Sequence, residues 1–201
     1  LIEPATTKEF IVKIKYKNSI TTLPSNTNLD TVLKFDFKKP MSILKNEGAW
    51  TTKVFGGTLT KDKIENITFL PTLDPVENAI GYWDASANKD GTVIASYKDS
   101  DNNGLYELYI GGIGKVYSPA WSAYLFQRYS VLTSINSTNY FDTSNANDMT
   151  YMFNECFKLE TLNTSYFDVG KVTTMTGLFS GCKALTSLDV SNWNVSKVTS
   201  F

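Results

Sequence analysis

The hexapeptide DSDNNG at residues 99–104 comes closest to a motif with chemistry of its own. Asp99, Asp101 and Asn103 match the first half of a calcium-binding loop, in which alternate carboxylate and amide oxygens surround the ion. The second half fails, because Ile110 stands where a bidentate glutamate is required. We therefore interpret the stretch as the turn of a β-hairpin, with weak calcium binding as the alternative. No other metal or cofactor is predicted.

The composition argues against catalysis and against charged polymers as partners. The chain has no histidine, so the commonest general base and metal ligand is missing. Its 19 basic and 20 acidic residues give a net charge of −1, which is unlike a nucleic-acid-binding protein. No apolar run reaches transmembrane length, so we predict no membrane insertion by this fragment. Because no histidine base is present to activate a nucleophile, we also predict no enzymatic activity.

The two cysteines, Cys156 and Cys182, are 26 residues apart and occupy equivalent positions of an internal repeat. Side chains at equivalent positions of adjacent copies point in parallel, which is poor geometry for a disulfide. We interpret them as buried free thiols that act as small apolar side chains, with a disulfide as the alternative.

The two cysteines are positioned by an internal repeat that has a period of 26 residues. Its columns include aromatic, methionine and leucine positions: Phe141/Phe167/Trp193, Met149/Met175/Phe201, Phe153/Phe179, Leu159/Leu185 and Leu162/Leu188. A fixed period in this range indicates stacked units that cannot bury their apolar faces alone.

Each copy divides into two predicted elements. Apolar residues at i, i+3, i+4 and i+7 predict a short helix, as in Met149, Met152, Phe153 and Cys156. The pattern L-x-x-L that follows predicts a short strand. Strand plus helix is the leucine-rich-repeat plan, so the predicted fold is α+β: an all-β N-terminal domain and a β-capped, leucine-rich-repeat-like solenoid.

A family resemblance covers residues 141–201, FDTSNANDMTYMFNECFKLETLNTSYFDVGKVTTMTGLFSGCKALTSLDVSNWNVSKVTSF. This segment closely resembles the BspA-like surface-protein repeat of bacteria, also called the DUF285 or mycoplasma-type lipoprotein repeat. It departs from the pattern at Ala146, where valine is usual, and at Glu155, where glycine is usual. The resemblance implies a secreted or surface-anchored extracellular protein with a role in adhesion, and it implies no reaction.

The predicted domains are an N-terminal β domain (1–80), a β entry cap (81–121) and the repeats (122–201). Alternating apolar residues predict strands at 10–17 and 33–38, and further strands are expected in IENITFLPTL, GTVIASY, GLYELYIGG and IGKVYS. The sequence stops early in its third copy. We therefore expect further repeats in the native protein, or self-association through an open C-terminal end.

Aromatic residues outside the repeat columns are the predicted partner-binding residues. Tyr151, Phe157 and Tyr166 stand where the next copy has glycine, lysine and asparagine, so the repeat pattern does not require an aromatic there. Such residues are good anchors for partners, although partial burial against a loop is the alternative. The favoured function is a surface adhesin that binds a host or neighbouring-cell protein, mucin or glycan, and the alternative is a structural stalk.

Overall fold

The computed structural model describes residues 41–201, which belong to one compact unit, Lys39–Phe201. The strands predicted at 10–17 and 33–38 lie outside the described residues, as does half of the predicted N-terminal domain. Between residues 41 and 201 there are eight β-strands and two three-residue 3₁₀ turns, Lys61–Lys63 and Thr138–Tyr140, and there is no α-helix.

A mixed six-stranded sheet forms the centre of this unit. Its strands are β1 (Ile64–Leu70), β2 (Gly81–Asp84), β3 (Val93–Lys98), β4 (Tyr106–Gly112), β6 (Ser134–Asn136) and β8 (Thr161–Leu162), in the order β2-β3-β4-β1-β6-β8. β1 is parallel to both of its neighbours, β4 and β6, whereas β3 is antiparallel to β2 and β4. The strands expected in IENITFLPTL, GTVIASY and GLYELYIGG are confirmed as β1, β3 and β4.

A second, two-stranded sheet joins the entry segment to the repeats. β5 (Val116–Tyr117), which confirms the strand expected in IGKVYS, runs parallel to β7 (Phe141–Asp142). β1, β4 and β6 come respectively from the three predicted domains, yet they are direct neighbours in the larger sheet. This one sheet therefore ties residues 64–70 to the repeat segment.

The predicted α+β, leucine-rich-repeat-like solenoid with helix-bearing repeats is wrong. The segments 149–156 and 175–182, predicted as helices, are successions of tight turns, closed by bonds such as Met152 N–H to Met149 carbonyl (3.1 Å). Equivalent positions have left-handed backbone: φ is +53° at Tyr151 and +60° at Gly177, and +60° at Glu155 and +80° at Gly181. An α-helix cannot contain such residues, since it requires negative φ throughout.

The turn segments 122–129, 149–156 and 175–182, which we call the first, second and third turn layers, bond to one another rather than within a helix. The N–H groups at alternate residues of one layer donate to carbonyls of the next. In the second layer the donors are Met149, Tyr151, Phe153 and Glu155, with N···O distances of 2.8–3.0 Å. Backbone donors that a helix would satisfy internally thus join neighbouring copies.

The core follows the repeat columns. Phe126, Phe153 and Phe179 stack face to face through the three turn layers, with centroid separations of 5.3 and 5.4 Å. Ile135 of β6 pairs with Leu162 of β8 in parallel register. The 26-residue period therefore corresponds to layers that stack in the structure, although the layers consist of turns and not of the predicted helices.

The cysteines lie in the same stacked core. Cys156 is buried and Cys182 is half-buried, and both are free thiols, as predicted. Each S–H donates to a carbonyl of the preceding layer, at 3.1 Å to Phe126 and 3.1 Å to Phe153. Burial raises the pKa of Cys182 to about 11 and raises that of Cys156 further, so both thiols are protonated and unreactive near neutral pH.

Candidate functional site

The 99–104 loop is the turn of the β3–β4 hairpin, and its polar groups are engaged with one another. The carboxylate of Asp99 accepts the N–H groups of Asn103 (3.1 Å) and Gly104 (3.0 Å). Asp101 accepts both the backbone and the side-chain N–H of Asn103, and Asn103 in turn accepts the N–H of Leu105. These are the local side-chain bonds of a tight turn.

In residues 41–201, no group of three or more His, Cys, Asp or Glu side chains is arranged to hold a metal ion. Two other acidic residues in equivalent repeat positions also serve turns. Asp142 accepts the N–H of Ser144 (3.0 Å), and Asp168 accepts that of Gly170 (2.9 Å).

Tyr151 belongs to an aromatic row on the turn layers. Its ring stacks on that of Tyr124, with centroids 5.8 Å apart, and Tyr124 meets the ring of Trp121 edge-on at 6.1 Å. On its other side the Tyr151 ring covers Gly177, where an added Cβ would lie only 2.2 Å from the ring. The aromatic at 151 and the glycine at 177 are therefore complementary in packing.

A groove of about 290 Å³ lies beside this row, and we call it the aromatic groove. It is lined by Trp50, Tyr124, Gln127, Tyr151, Asn154 and Glu155. The side chain of Trp50 is 70% exposed, and the Arg128 guanidinium lies 5.4 Å from the centre of its ring.

Polar side chains of the aromatic groove are held in place by hydrogen bonds between layers. The amide of Gln127 donates to that of Asn154 (2.9 Å), which donates to the carbonyl of Ser180 (3.0 Å). Arg128 pairs with Glu155 at 3.2 Å. The groove thus combines exposed aromatic faces with planar amides and a charged pair of fixed orientation.

Phe157 lines an adjoining cavity of about 440 Å³, which shares Glu155 with the aromatic groove. The Phe157 side chain is 39% exposed, with the Lys183 ammonium 5.3 Å from its ring centre. The same cavity reaches Lys61, which is buried, donates to the Gln127 carbonyl (3.1 Å) and lies over the ring of Tyr129.

Burial is the main influence on the pKa values of Lys61 and of its neighbour Tyr129. It lowers the pKa of the Lys61 ammonium to about 8, because the charged form loses solvation. Burial raises the pKa of the Tyr129 hydroxyl well above its usual range.

Tyr166 is 56% exposed and lies apart from the other two predicted residues. It lines a separate cavity of about 380 Å³ with residues of the segments 135–139 and 161–163. The structure thus places Tyr151 and Phe157 in adjoining cavities around Glu155, and Tyr166 in neither.

Sequence reasoning missed Trp50, Gln127 and Arg128. Gln127 and Arg128 stand 27 residues before Asn154 and Glu155, the same spacing as between Phe126 and Phe153, so complementary residues in one column could have indicated them. Trp50 lies outside the repeats and carries no pattern that predicts its place beside them.

This geometry defines the class of the protein: a β-rich tandem-repeat protein whose copies are joined by hydrogen bonds between turn layers. Residues 122–201 match the model of the family described as "Mycoplasma protein of unknown function, DUF285", which confirms the DUF285 part of the resemblance for this segment. Comparisons with curated proteins and with solved structures gave no match. Residues 41–201 contain no helix long and apolar enough to cross a membrane.

Proposed function

We propose that the protein is a non-enzymatic binding module of a bacterial cell surface or of the secreted fraction, an adhesin that uses the aromatic groove to hold a protein or glycan partner. The observation that carries the proposal is the exposed Trp50 ring, held beside Arg128 and next to the Tyr124–Tyr151 stack. The BspA-like resemblance of residues 141–201 supports the surface location.

The chemistry of the groove suits a partner with both apolar faces and polar edges. Trp, Tyr and Arg are the residue types that most often dominate binding energy at interfaces. The Gln127–Asn154 pair adds amide groups whose positions are fixed before binding, which lowers the entropic cost of association. A sugar ring or an exposed peptide loop offers the matching combination of C–H surface and hydroxyl or amide groups.

The test is binding of the whole chain to arrays of glycans, mucins and host matrix proteins, comparing wild type with Trp50→Gly. Trp50 has a left-handed backbone (φ +65°), so glycine removes the ring without straining the main chain. Tyr151→Gly is a second variant, because glycine already stands at the equivalent position 177. We expect each variant to weaken binding by about tenfold or more, the usual effect of losing an interface anchor.

The matched control is Tyr82→Ala, which removes an exposed aromatic from β2. Binding by Tyr82→Ala should equal that of wild type. If both groove variants also bind like wild type, the aromatic groove is not the recognition surface and the proposal fails.

The second candidate is a structural stalk, in which the repeats only hold another module away from the cell. The hydrogen-bond ladder between the turn layers favours it, since it makes each copy a rigid extension of the preceding one. Absence of binding on every array, by a chain that is folded, would support the stalk over the adhesin.

A further inference from the structure

The first repeat copy has one residue more than the copies that follow it. Between its strand and its aromatic column it has five residues, 136–140, where the next two copies have four, 163–166 and 189–192. In the first copy Ser137 has left-handed backbone (φ +54°), and the 3₁₀ turn Thr138–Tyr140 follows it. A left-handed backbone is unfavourable for serine, so the insertion gives this copy a local conformation of its own.

The inserted turn forms part of the wall of the 380 Å³ cavity that Tyr166 also lines, and we call it the inserted-turn cavity. The residues 135–139 of the first copy line it together with residues of the segment 161–166 of the second. Apart from Ile135, every lining side chain carries a hydroxyl or an amide group, and none is charged. The volume lies within the usual range of small-molecule sites.

The inserted-turn cavity contains a buried hydroxyl without a partner. Thr138 is only 2% exposed, yet its hydroxyl makes no hydrogen bond within residues 41–201. Its repeat counterpart Thr164, 26 positions later, donates to the carbonyl of Asp189 in the following copy. A buried hydroxyl without a partner has lost water and gained no bond, which is costly. A ligand that carries hydroxyl groups would supply the missing partner.

Other donors and acceptors of the cavity are also available. In the described part of the chain, the Asn136 amide uses only its NH₂ group, which donates to the Ser134 hydroxyl (3.2 Å). The Asn163 amide uses only its oxygen, which accepts the Ser165 N–H (3.0 Å). Tyr166 is 56% exposed, and its ring packs on no other aromatic ring of residues 41–201. The cavity thus has free donors, free acceptors and an exposed aromatic ring.

We infer that the inserted-turn cavity binds one ring of an uncharged sugar. Each sugar hydroxyl can donate and accept, which matches a lining of amides and hydroxyls with unused donors and acceptors. The C–H surface of the ring matches the exposed ring of Tyr166. Because no charged side chain lines the cavity, a carboxylate, a phosphate or an ammonium group would lose water there without gaining a counter-charge.

This site is distinct from the aromatic groove, since the two cavities share no lining residue. The inference therefore goes beyond the proposed function and does not depend on it. Sugar binding at the inserted-turn cavity should persist in the Trp50→Gly variant. Its failure would leave the proposal for the aromatic groove unaffected.

The probes are the methyl glycosides of glucose, galactose and mannose, together with N-acetylglucosamine. Each is titrated into the whole ¹⁵N-labelled chain, and amide chemical shifts are followed by NMR. We expect saturable shifts from at least one of these sugars, centred on residues 136–139 and 161–166. Glucuronic acid, in which a carboxylate replaces the primary alcohol of glucose, should bind about tenfold more weakly than the best neutral sugar.

Tyr166→Asn is the first variant, because asparagine already stands at the equivalent position 192. It should weaken sugar binding by about tenfold through loss of the aromatic contact. The matched control is Tyr82→Asn, which makes the same change at an exposed position of β2. The control should leave sugar binding unchanged.

Thr138→Val is the second variant, and it removes the unbonded hydroxyl. It should weaken sugar binding by about threefold to tenfold, and Thr138→Ser, which keeps a hydroxyl, should restore binding. The same substitution should not lower the midpoint of urea unfolding, since the hydroxyl has no protein partner to lose. Thr164→Val should lower that midpoint, because it removes the bond to Asp189.

Three results would overturn the inference. The first is the absence of saturable shifts with all four neutral sugars. The second is saturable binding that neither Tyr166→Asn nor Thr138→Val weakens, since the sugar would then lie elsewhere. The third is tighter binding of glucuronic acid than of every neutral sugar at the same residues, which would make the site one for anionic sugars.

Discussion

Replacement of Gly177 by alanine tests whether the turn layers and the aromatic row depend on each other. Gly177 has φ +60°, and an added Cβ would lie 2.2 and 2.5 Å from the Cε1 and Cδ1 atoms of Tyr151. Alanine would strain the backbone and also force the Tyr151 ring off its position over residue 177. The two costs are separable, because only the second requires the tyrosine.

The left-handed backbone costs a non-glycine residue about 1–2 kcal/mol. Displacement of the Tyr151 ring costs its stacking on Tyr124, about 0.5–1.5 kcal/mol. Gly177→Ala should therefore lower the free energy of unfolding by about 1.5–3.5 kcal/mol. In a Tyr151→Gly background the same substitution should cost only the backbone part, about 1–2 kcal/mol.

The assay is urea unfolding of the four proteins in this double-mutant cycle, with stability taken from the midpoint at constant m value. Gly170→Ala is the matched control, since Gly170 lacks positive φ and an added Cβ meets only the side chain of Asp168, at 3.2 Å. The control should change stability by less than about 1 kcal/mol. Equal costs of Gly177→Ala in both backgrounds would refute the packing of Tyr151 on Gly177, and a cost below about 0.5 kcal/mol would refute the left-handed backbone.

Three further predictions concern the core, the buried lysine and the hairpin. Phe153→Ala should cost about 3–5 kcal/mol in urea unfolding because the ring is buried in the phenylalanine stack, whereas the exposed Phe157→Ala should cost less than about 1 kcal/mol. Because the unfolded chain protonates Lys61 more readily than the folded one, the free energy of unfolding should rise as pH increases above about 8. Above pH 9 the raised pKa of Cys182 acts in the opposite direction, so the rise should be sharpest between pH 8 and 9, and Lys61→Met should abolish it. Finally, the protein should bind no calcium after mild chelation; one equivalent retained by wild type and lost on Asp99→Asn would overturn the hairpin interpretation.

Much of the β organisation could be predicted from local patterns. Strands β1, β3 and β4 follow from alternating and β-branched residues, and the DSDNNG turn from side chains that bond to nearby backbone. The 26-residue period correctly indicated the stacking of Phe153 on Phe179 and the alignment of Cys156 with Cys182 as free thiols. The strands and the turn depend on residues that are close in sequence, and the stack depends on exact repetition. Both kinds of pattern can be recognised in a single amino-acid sequence.

The helix prediction failed because apolar spacing reports which side chains face the core and not the sign of φ. Met149, Met152, Phe153 and Cys156 face inward from a succession of turns as they would from a helix. The glycine at 177, within the predicted helix, was the local sign of a left-handed position. Its counterpart Tyr151 gave no such sign, because tyrosine does not indicate positive φ. The structure shows that the Tyr151 N–H bonds to a carbonyl of the next layer while its backbone is left-handed.

The sequence by itself determined the repeat, its apolar columns and the strands around them, because these depend on residue type and spacing. Only the tertiary structure decided that the copies exchange backbone hydrogen bonds, and that Asn46 and Lys61 close one end of the stack. It also decided that Trp50 meets Arg128 across 78 positions of chain. Such contacts join segments with no common pattern, so they arise from packing of the whole unit and not from any local preference.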